Sequence, residues 1–142
     1  MPNAKPCPLC EPVAETLLWS DPRCRVISAD DAMYPGFCRV IWREHIREMT
    51  ELREQDQTHL MRLTFAVEKT LRSLLQPEKI NLASFGNQVP HLHWHVIPRF
   101  TDDAHFPDAV WASARRPGVS HAVALDALRA ALETTLGASV TA

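Results

Sequence analysis

His91-Leu92-His93-Trp94-His95-Val96-Ile97 alternates imidazoles with apolar side chains. A β-strand sends successive side chains to opposite faces, so a strand here carries His91, His93 and His95 on one surface. Leu92, Trp94 and Val96 then point the other way and read as core. The imidazole face reads as a reaction surface, because imidazole serves near neutral pH as nucleophile, proton carrier or metal ligand. A single histidine on a strand is ordinarily a satisfied core residue or a surface one. Three in strict alternation with apolar filling do not fit that account. Pro98 is expected to end the strand.

Outward from this stretch the pattern stays regular. Ile80 to Phe85 reads as a neighbouring strand, joined through Gly86-Asn87-Gln88-Val89-Pro90, a connection short enough for antiparallel pairing. Before it, Leu52, Leu60, Leu63, Val67, Leu71 and Leu74 recur at helical spacing, which predicts a long amphipathic helix stopped by Pro77. Met61 and Phe65 read as packing beside that stripe. Further upstream, Leu17-Leu18-Trp19 and Arg25-Val26-Ile27 read as two strands split by a Ser20-Asp21-Pro22 turn. Phe37 to Trp42 reads as a third, delivering His45 just past its end. After Arg99 a loop-rich stretch leads to a final helix, Val123 to Leu136. The expectation is an α+β fold: an antiparallel sheet of about five strands with a long helix packed on one face and a C-terminal helix.

The chain has 142 residues, 46% of them hydrophobic, enough to bury one good core, so residues 1–142 are read as a single domain. A formal charge of −2 offers no basic footprint, which argues against duplex nucleic-acid binding but leaves room for a small phosphorylated ligand. Met1 to Pro6 lacks the apolar run of a signal peptide and no stretch is long enough to span a membrane; the expectation is a cytoplasmic protein. Four cysteines in that compartment argue against a disulfide framework. Cys24 and Cys38 read as small buried side chains. Cys7-Pro8-Leu9-Cys10 has three readings: half of a tetrahedral metal site, a redox pair, or two inert thiols.

The opening stretch also resembles the signature of the histidine triad (HIT) family of nucleotide hydrolases and transferases, His-φ-His-φ-His-φ-φ with φ apolar, and fills every position of it. Gly86 and Asn87 upstream, Pro98-Arg99 downstream, and Pro35-Gly36-Phe37-Cys38-Arg39-Val40-Ile41 with His45-Ile46 extend the likeness over roughly residues 5–100, leaving 101–142 as an extension. The resemblance implies an enzyme in which His93 attacks the α-phosphorus of a nucleoside phosphoramidate or dinucleoside polyphosphate, forming a nucleotidyl-histidine that water or another acceptor resolves. By the same resemblance His95 contacts phosphate and His91 positions its neighbours. Asn87 stands near the α-phosphate and Gly86 lets the backbone approach the ligand. Gln88 faces the leaving group, where several relatives carry serine or threonine. Asn81 corresponds to a phosphate- or ribose-contacting asparagine, with a strand-edge polar residue as its alternative. Asp30, rather than Asp31, is the candidate ribose acceptor, with a solvated loop aspartate as its alternative.

In part of the family an N-terminal Cys-x-x-Cys joins an upstream histidine and the first triad histidine around zinc. The corresponding set is Cys7, Cys10, His45 and His91. The family also implies a homodimer, for which Trp94 or the C-terminal segment is available. Two other functional classes remain: a zinc-stabilised nucleotide-binding interaction module without catalysis, and a metal site made by the three histidines themselves. His59, His105 and His121 read as surface histidines. Arg99 either steers a polyphosphate or pairs with Asp102 or Asp103. Trp42 and Trp94 are read as core, and Trp111 as core or nucleotide-facing.

Overall fold

The computed structural model describes residues 6–140. Five strands form one antiparallel sheet: β1 (Thr16–Ser20), β2 (Cys24–Ser28), β3 (Cys38–Trp42), β4 (Lys79–Ala83) and β5 (His93–Arg99), in the order β1-β2-β3-β5-β4. Helix α1 (Glu54–Leu75) links β3 to the far edge, and α2 (Leu125–Leu136) follows the long segment after β5. The five-stranded sheet with a long helix and a C-terminal helix is the α+β, HIT-like arrangement expected from the sequence.

The alternation that marks a strand also divides the sheet into two faces. Cys24, Val26, Cys38, Val40 and Val96 pack on one side against Leu60, Leu63, Val67 and Leu71 of α1 and Leu128 and Leu132 of α2. Both helices therefore cover the same face, as the apolar stripe of α1 requires. Cross-strand partners fix the opposite face. Arg39 lies opposite His95, Ile41 opposite His93, and Ala83 opposite His95 on the other side. This face carries the imidazoles.

Several boundaries move. β5 begins at His93, so His91 and Leu92 precede the regular ladder, and it runs through Pro98 to Arg99 rather than ending before the proline. Pairing with β3 reaches only Val96 (opposite Cys38), while Pro98 pairs with Ile80 of β4, so the proline sits where one neighbour has already ended. β4 stops at Ala83 instead of Phe85. Leu52 lies before α1, and Leu74 and Phe65 are 39% and 50% exposed, so neither belongs to the buried stripe. Gln76 closes α1 in the left-handed region at φ 49°, one residue before Pro77.

Candidate active site

His93 is 8% exposed, and its Nδ1 lies 2.6 Å from the carbonyl oxygen of His91. A carbonyl only accepts, so Nδ1 carries the proton and Nε2 keeps its lone pair. Burial pulls the His93 pKa below the ordinary histidine value, the bond to the His91 carbonyl pushes it back, and the charge of Arg39 lowers it further. The net effect favours the neutral, nucleophilic form. His95 is lowered more, to about 4, by burial and then by His93 and Arg39. Its Nδ1 is buried with no protein partner among the described residues, so nothing in the fold fixes its tautomer. The two rings stand edge to face with centroids 4.9 Å apart.

Both imidazoles line a cavity of about 520 Å³. Gly86, Asn87 and Gln88 supply one wall from the β4–β5 turn, Phe85 and Trp111 an aromatic one, and Pro8 and Leu9 a third. Gly86 adopts φ 80°, a left-handed backbone that favours glycine, and this turns the connection toward the histidines. Trp111, half exposed, has its ring 5.2 Å from His95 and 4.7 Å from Phe85. The sequence left Trp111 undecided; the structure puts it at the cavity.

The remaining candidates are placed differently. Asn81 shares the imidazole face but its side-chain oxygen accepts from Arg99 Nη1 at 2.8 Å, and it does not line the cavity. Asp30 lies at the end of β2 at φ 53°, accepts from Thr16 Oγ1 at 2.7 Å, and borders an adjoining cavity rather than that of the triad. Arg39 lines both cavities and was missed in the sequence, where it passes for a polar residue on a strand. The available signal was its charge within the otherwise apolar Phe37-Cys38-Arg39-Val40-Ile41-Trp42.

His91 plays another part. Its Nε2 donates to the Trp42 carbonyl at 2.6 Å, which turns Nδ1 toward Cys7 Sγ (3.5 Å), Cys10 Sγ (3.4 Å) and His45 Nδ1 (3.2 Å). His45 Nδ1 is 3.3 Å from Cys10 Sγ. All four ligand atoms lie within 4.8 Å of one another. Tetrahedral zinc with ordinary bond lengths sets nitrogens about 3.3 Å apart and sulfur from nitrogen about 3.6 Å. The four residues fit that set. The turn that presents the thiols is closed by Cys10 and Glu11 amides donating to the Cys7 carbonyl, and buried Arg25 ties it down by donating to Leu9 O (2.7 Å) and to both oxygens of Glu15. Burial and then the adjacent Cys7 raise the Cys10 thiol above its ordinary pKa, which a cation among the four would reverse.

In a second grouping, Asp21, Cys24 and His59, the carboxylate and the imidazole are already engaged within the protein. Asp21 Oδ1 accepts the Arg23 and Cys24 amides, while His59 bonds to Asp21 Oδ2 and accepts from Arg23.

Past β5 the chain turns on Asp103, 1% exposed. It accepts from Arg99 Nε (2.8 Å) and Nη2 (3.1 Å), Tyr34 Oη (3.1 Å), and the amides of Phe100 (3.0 Å), His105 (3.0 Å) and Phe106 (2.7 Å). Arg99 is thus a structural partner of Asp103. His105, expected at the surface, is buried at 5% exposure with Nδ1 2.6 Å from Tyr34 Oη, because this loop folds back over the sheet. His59 and His121 are partly exposed and each pairs with an aspartate. Trp42 is core, and Trp94, partly buried, packs on it and donates to Met49 Sδ.

Comparison with known proteins agrees with this arrangement. A histidine triad protein from Bradyrhizobium japonicum superposes with a TM-score of 0.71 at 29% identity, over 86% of this chain and 90% of that one. A zinc-bound histidine triad family protein from Mycobacterium smegmatis shares the fold (TM-score 0.63, 19% identity, 89% of each chain). A curated AP-4-A phosphorylase of Mycobacterium tuberculosis is 25% identical over 120 residues, 74% of this chain; the match spans 61% of that relative's length. Among the described residues no helix is long and apolar enough to cross a membrane. The HIT domain model matches residues 12–102, from the first strand through the triad, and the chain belongs to the HIT domain family.

Proposed function

We propose that the protein is a nucleotide hydrolase or nucleotidyl transferase that works through a covalent intermediate on His93. The observation that carries this reading is the 2.6 Å bond from His93 Nδ1 to the His91 carbonyl, in a ring that lines the cavity. It fixes the tautomer, aims Nε2, and offers an acceptor for the positive charge that grows on the ring as the bond to phosphorus forms. Nε2 attacks the α-phosphorus of a nucleoside phosphoramidate or dinucleoside polyphosphate. The N–P bond forms while the bond to the leaving amine or phosphate breaks, and the leaving group departs with that electron pair. Water then attacks phosphorus, releases the nucleoside monophosphate and returns neutral His93.

His95, at hydrogen-bond reach of the same space, donates to a non-bridging oxygen. Asn87 and Gln88 lie on the wall formed by the β4–β5 turn and serve the α-phosphate and the leaving group. Asp30 takes the ribose in the adjoining cavity, and Asn81 acts by holding Arg99. Zinc bound by Cys7, Cys10, His45 and His91 would be structural, cross-linking the N-terminal turn to His91. Its neighbour effect is positional: His91 keeps its Nε2 on Trp42 and its carbonyl under His93. Pro8 and Leu9, between the two cysteines, stay at the cavity wall.

The test is turnover of adenosine 5′-phosphoramidate and diadenosine polyphosphates by wild type and His93→Ala, with intact mass after acid-free quenching. AMP release that disappears in the variant, with a nucleotidyl adduct on wild type, is the expected result. Nucleotide binding without turnover or adduct would overturn the enzymatic reading in favour of a binding module.

A further inference from the structure

Arg39 stands opposite His95 across the β3–β5 ladder, where paired Cβ atoms lie about 5 Å apart. It is the charged member of a strand whose other residues are buried and apolar. Every other arginine among the described residues that is buried or half-buried has an acceptor. Arg25 has Glu15, Arg99 has Asp103, Arg43 the Asp21 carbonyl, and Arg129 the Leu17 carbonyl with Asp126. Arg39 has none within the described residues. Asp30 and Asp31 act on it only at a distance, and Asp30 is already bonded to Thr16. Its guanidinium carbon lies over the Phe37 ring, 5.4 Å from the centroid. Arg39 lines both the triad cavity and the Asp30 cavity, with no acceptor for its N–H donors among the described residues. A half-buried guanidinium with an unused fork of donors matches one ligand chemistry best: paired oxygens of a phosphate.

We infer that Arg39 is a phosphate ligand of the triad site, its guanidinium taking two non-bridging oxygens of the phosphate that stands over His93 and His95. The triad motif does not include this residue, and the inference rests on the nucleotide reading above. Arg39 supplies a fixed full charge where the histidines, held neutral, supply none.

The experiment is calorimetric titration of AMP and of adenosine into wild type, Arg39→Gln and Arg39→Lys, with thermal melts and turnover of adenosine 5′-phosphoramidate beside it. In Arg39→Gln, AMP affinity falls roughly ten- to hundredfold, the loss expected for a charge-assisted pair, while adenosine affinity stays within about twofold. Arg39→Lys, which keeps the charge without the fork, falls in between. Melting temperature holds or rises in both, because no hydrogen-bonded or ionic partner among the described residues is lost. Unchanged AMP affinity in Arg39→Gln overturns the assignment. So does a proportional loss of AMP and adenosine with a lowered melting temperature, the mark of a packing role. Wild type that binds neither compound and turns nothing over defeats the nucleotide reading and this inference with it. Normal turnover in Arg39→Gln defeats this inference alone.

Discussion

Asp103→Asn is a near-isosteric change whose cost follows from the hydrogen bonds on the page. The carboxylate accepts six bonds, four on Oδ1 and two on Oδ2, from Arg99, Tyr34 and three backbone amides. An asparagine that keeps its oxygen at the four-donor side turns its NH2 toward Arg99 Nε and the Phe100 amide, both donors. Arg99, 2% exposed, then keeps a buried charge with only neutral oxygens to face, those of Asn81 and of the new asparagine. Breaking one partner of a buried ion pair costs about 3–5 kcal/mol. At about 3 °C per kcal/mol for a chain of this size, the melting temperature drops by about 10 °C or more. Scanning calorimetry at neutral pH reads the shift directly. The gap also has a pH signature. Burial raises the Asp103 pKa, but Arg99 and the three amides outweigh it and hold the carboxyl well below the usual 3.8. The contribution is therefore complete above that value and drains as pH falls below it toward the depressed native pKa, so wild type and variant converge in acid. A neutral-pH shift under about 3 °C, worth about 1 kcal/mol, would refute the reasoning.

Other expectations concern the site and its supports. His95 titrates near 4 in the native state against 6.5 unfolded, so stability is full above about pH 6.5 and falls by about 3 kcal/mol toward pH 4. Denaturant midpoints across that window should flatten in His95→Gln, and an unaltered slope would count against the burial argument. Purified protein should carry about one zinc per chain by elemental analysis, lost in Cys10→Ser, and chelation should raise KM because Pro8 and Leu9 leave the cavity wall. A metal-free wild type with unchanged kinetics would contradict this. Gly118→Ala combines a φ of 76° with a Cβ 2.5 Å from the Ala104 amide nitrogen, so the loop carrying Trp111 must shift. The expected cost is about 2–4 kcal/mol, with altered tryptophan emission; an unchanged melt and spectrum would exclude that strain.

What the sequence revealed was whatever depends on short-range period. Alternation put the imidazoles on one face and Val96 on the other, and the leucine spacing found α1, because both patterns are written in consecutive residues. What depended on register or on a long return of the chain stayed hidden. Arg39 becomes a site residue only once β3 is seen to pair Arg39 with His95. His105 looked like a surface residue because nothing near it in the chain announces that Asp103 gathers six donors and draws the loop inward. Asn81, read by resemblance as a phosphate or ribose contact, shares the imidazole face but gives its oxygen to Arg99, eighteen residues away, and does not line the cavity. The cysteine–histidine set became legible through resemblance, since its members are spread from residue 7 to residue 91.

The walls of the triad cavity come from three separate pieces of chain: the turn between Cys7 and Cys10, the β4–β5 connection, and the post-strand loop with Trp111. Each has its own support: Arg25 and the Cys7 carbonyl for the first, the left-handed Gly86 for the second, and Asp103 for the third. Chemistry and recognition are thus modular in this fold. A substitution, insertion or graft in any one wall can reshape what fits while the imidazole keeps its backbone bond and its aim, which makes the scaffold a natural host for redesign toward new leaving groups.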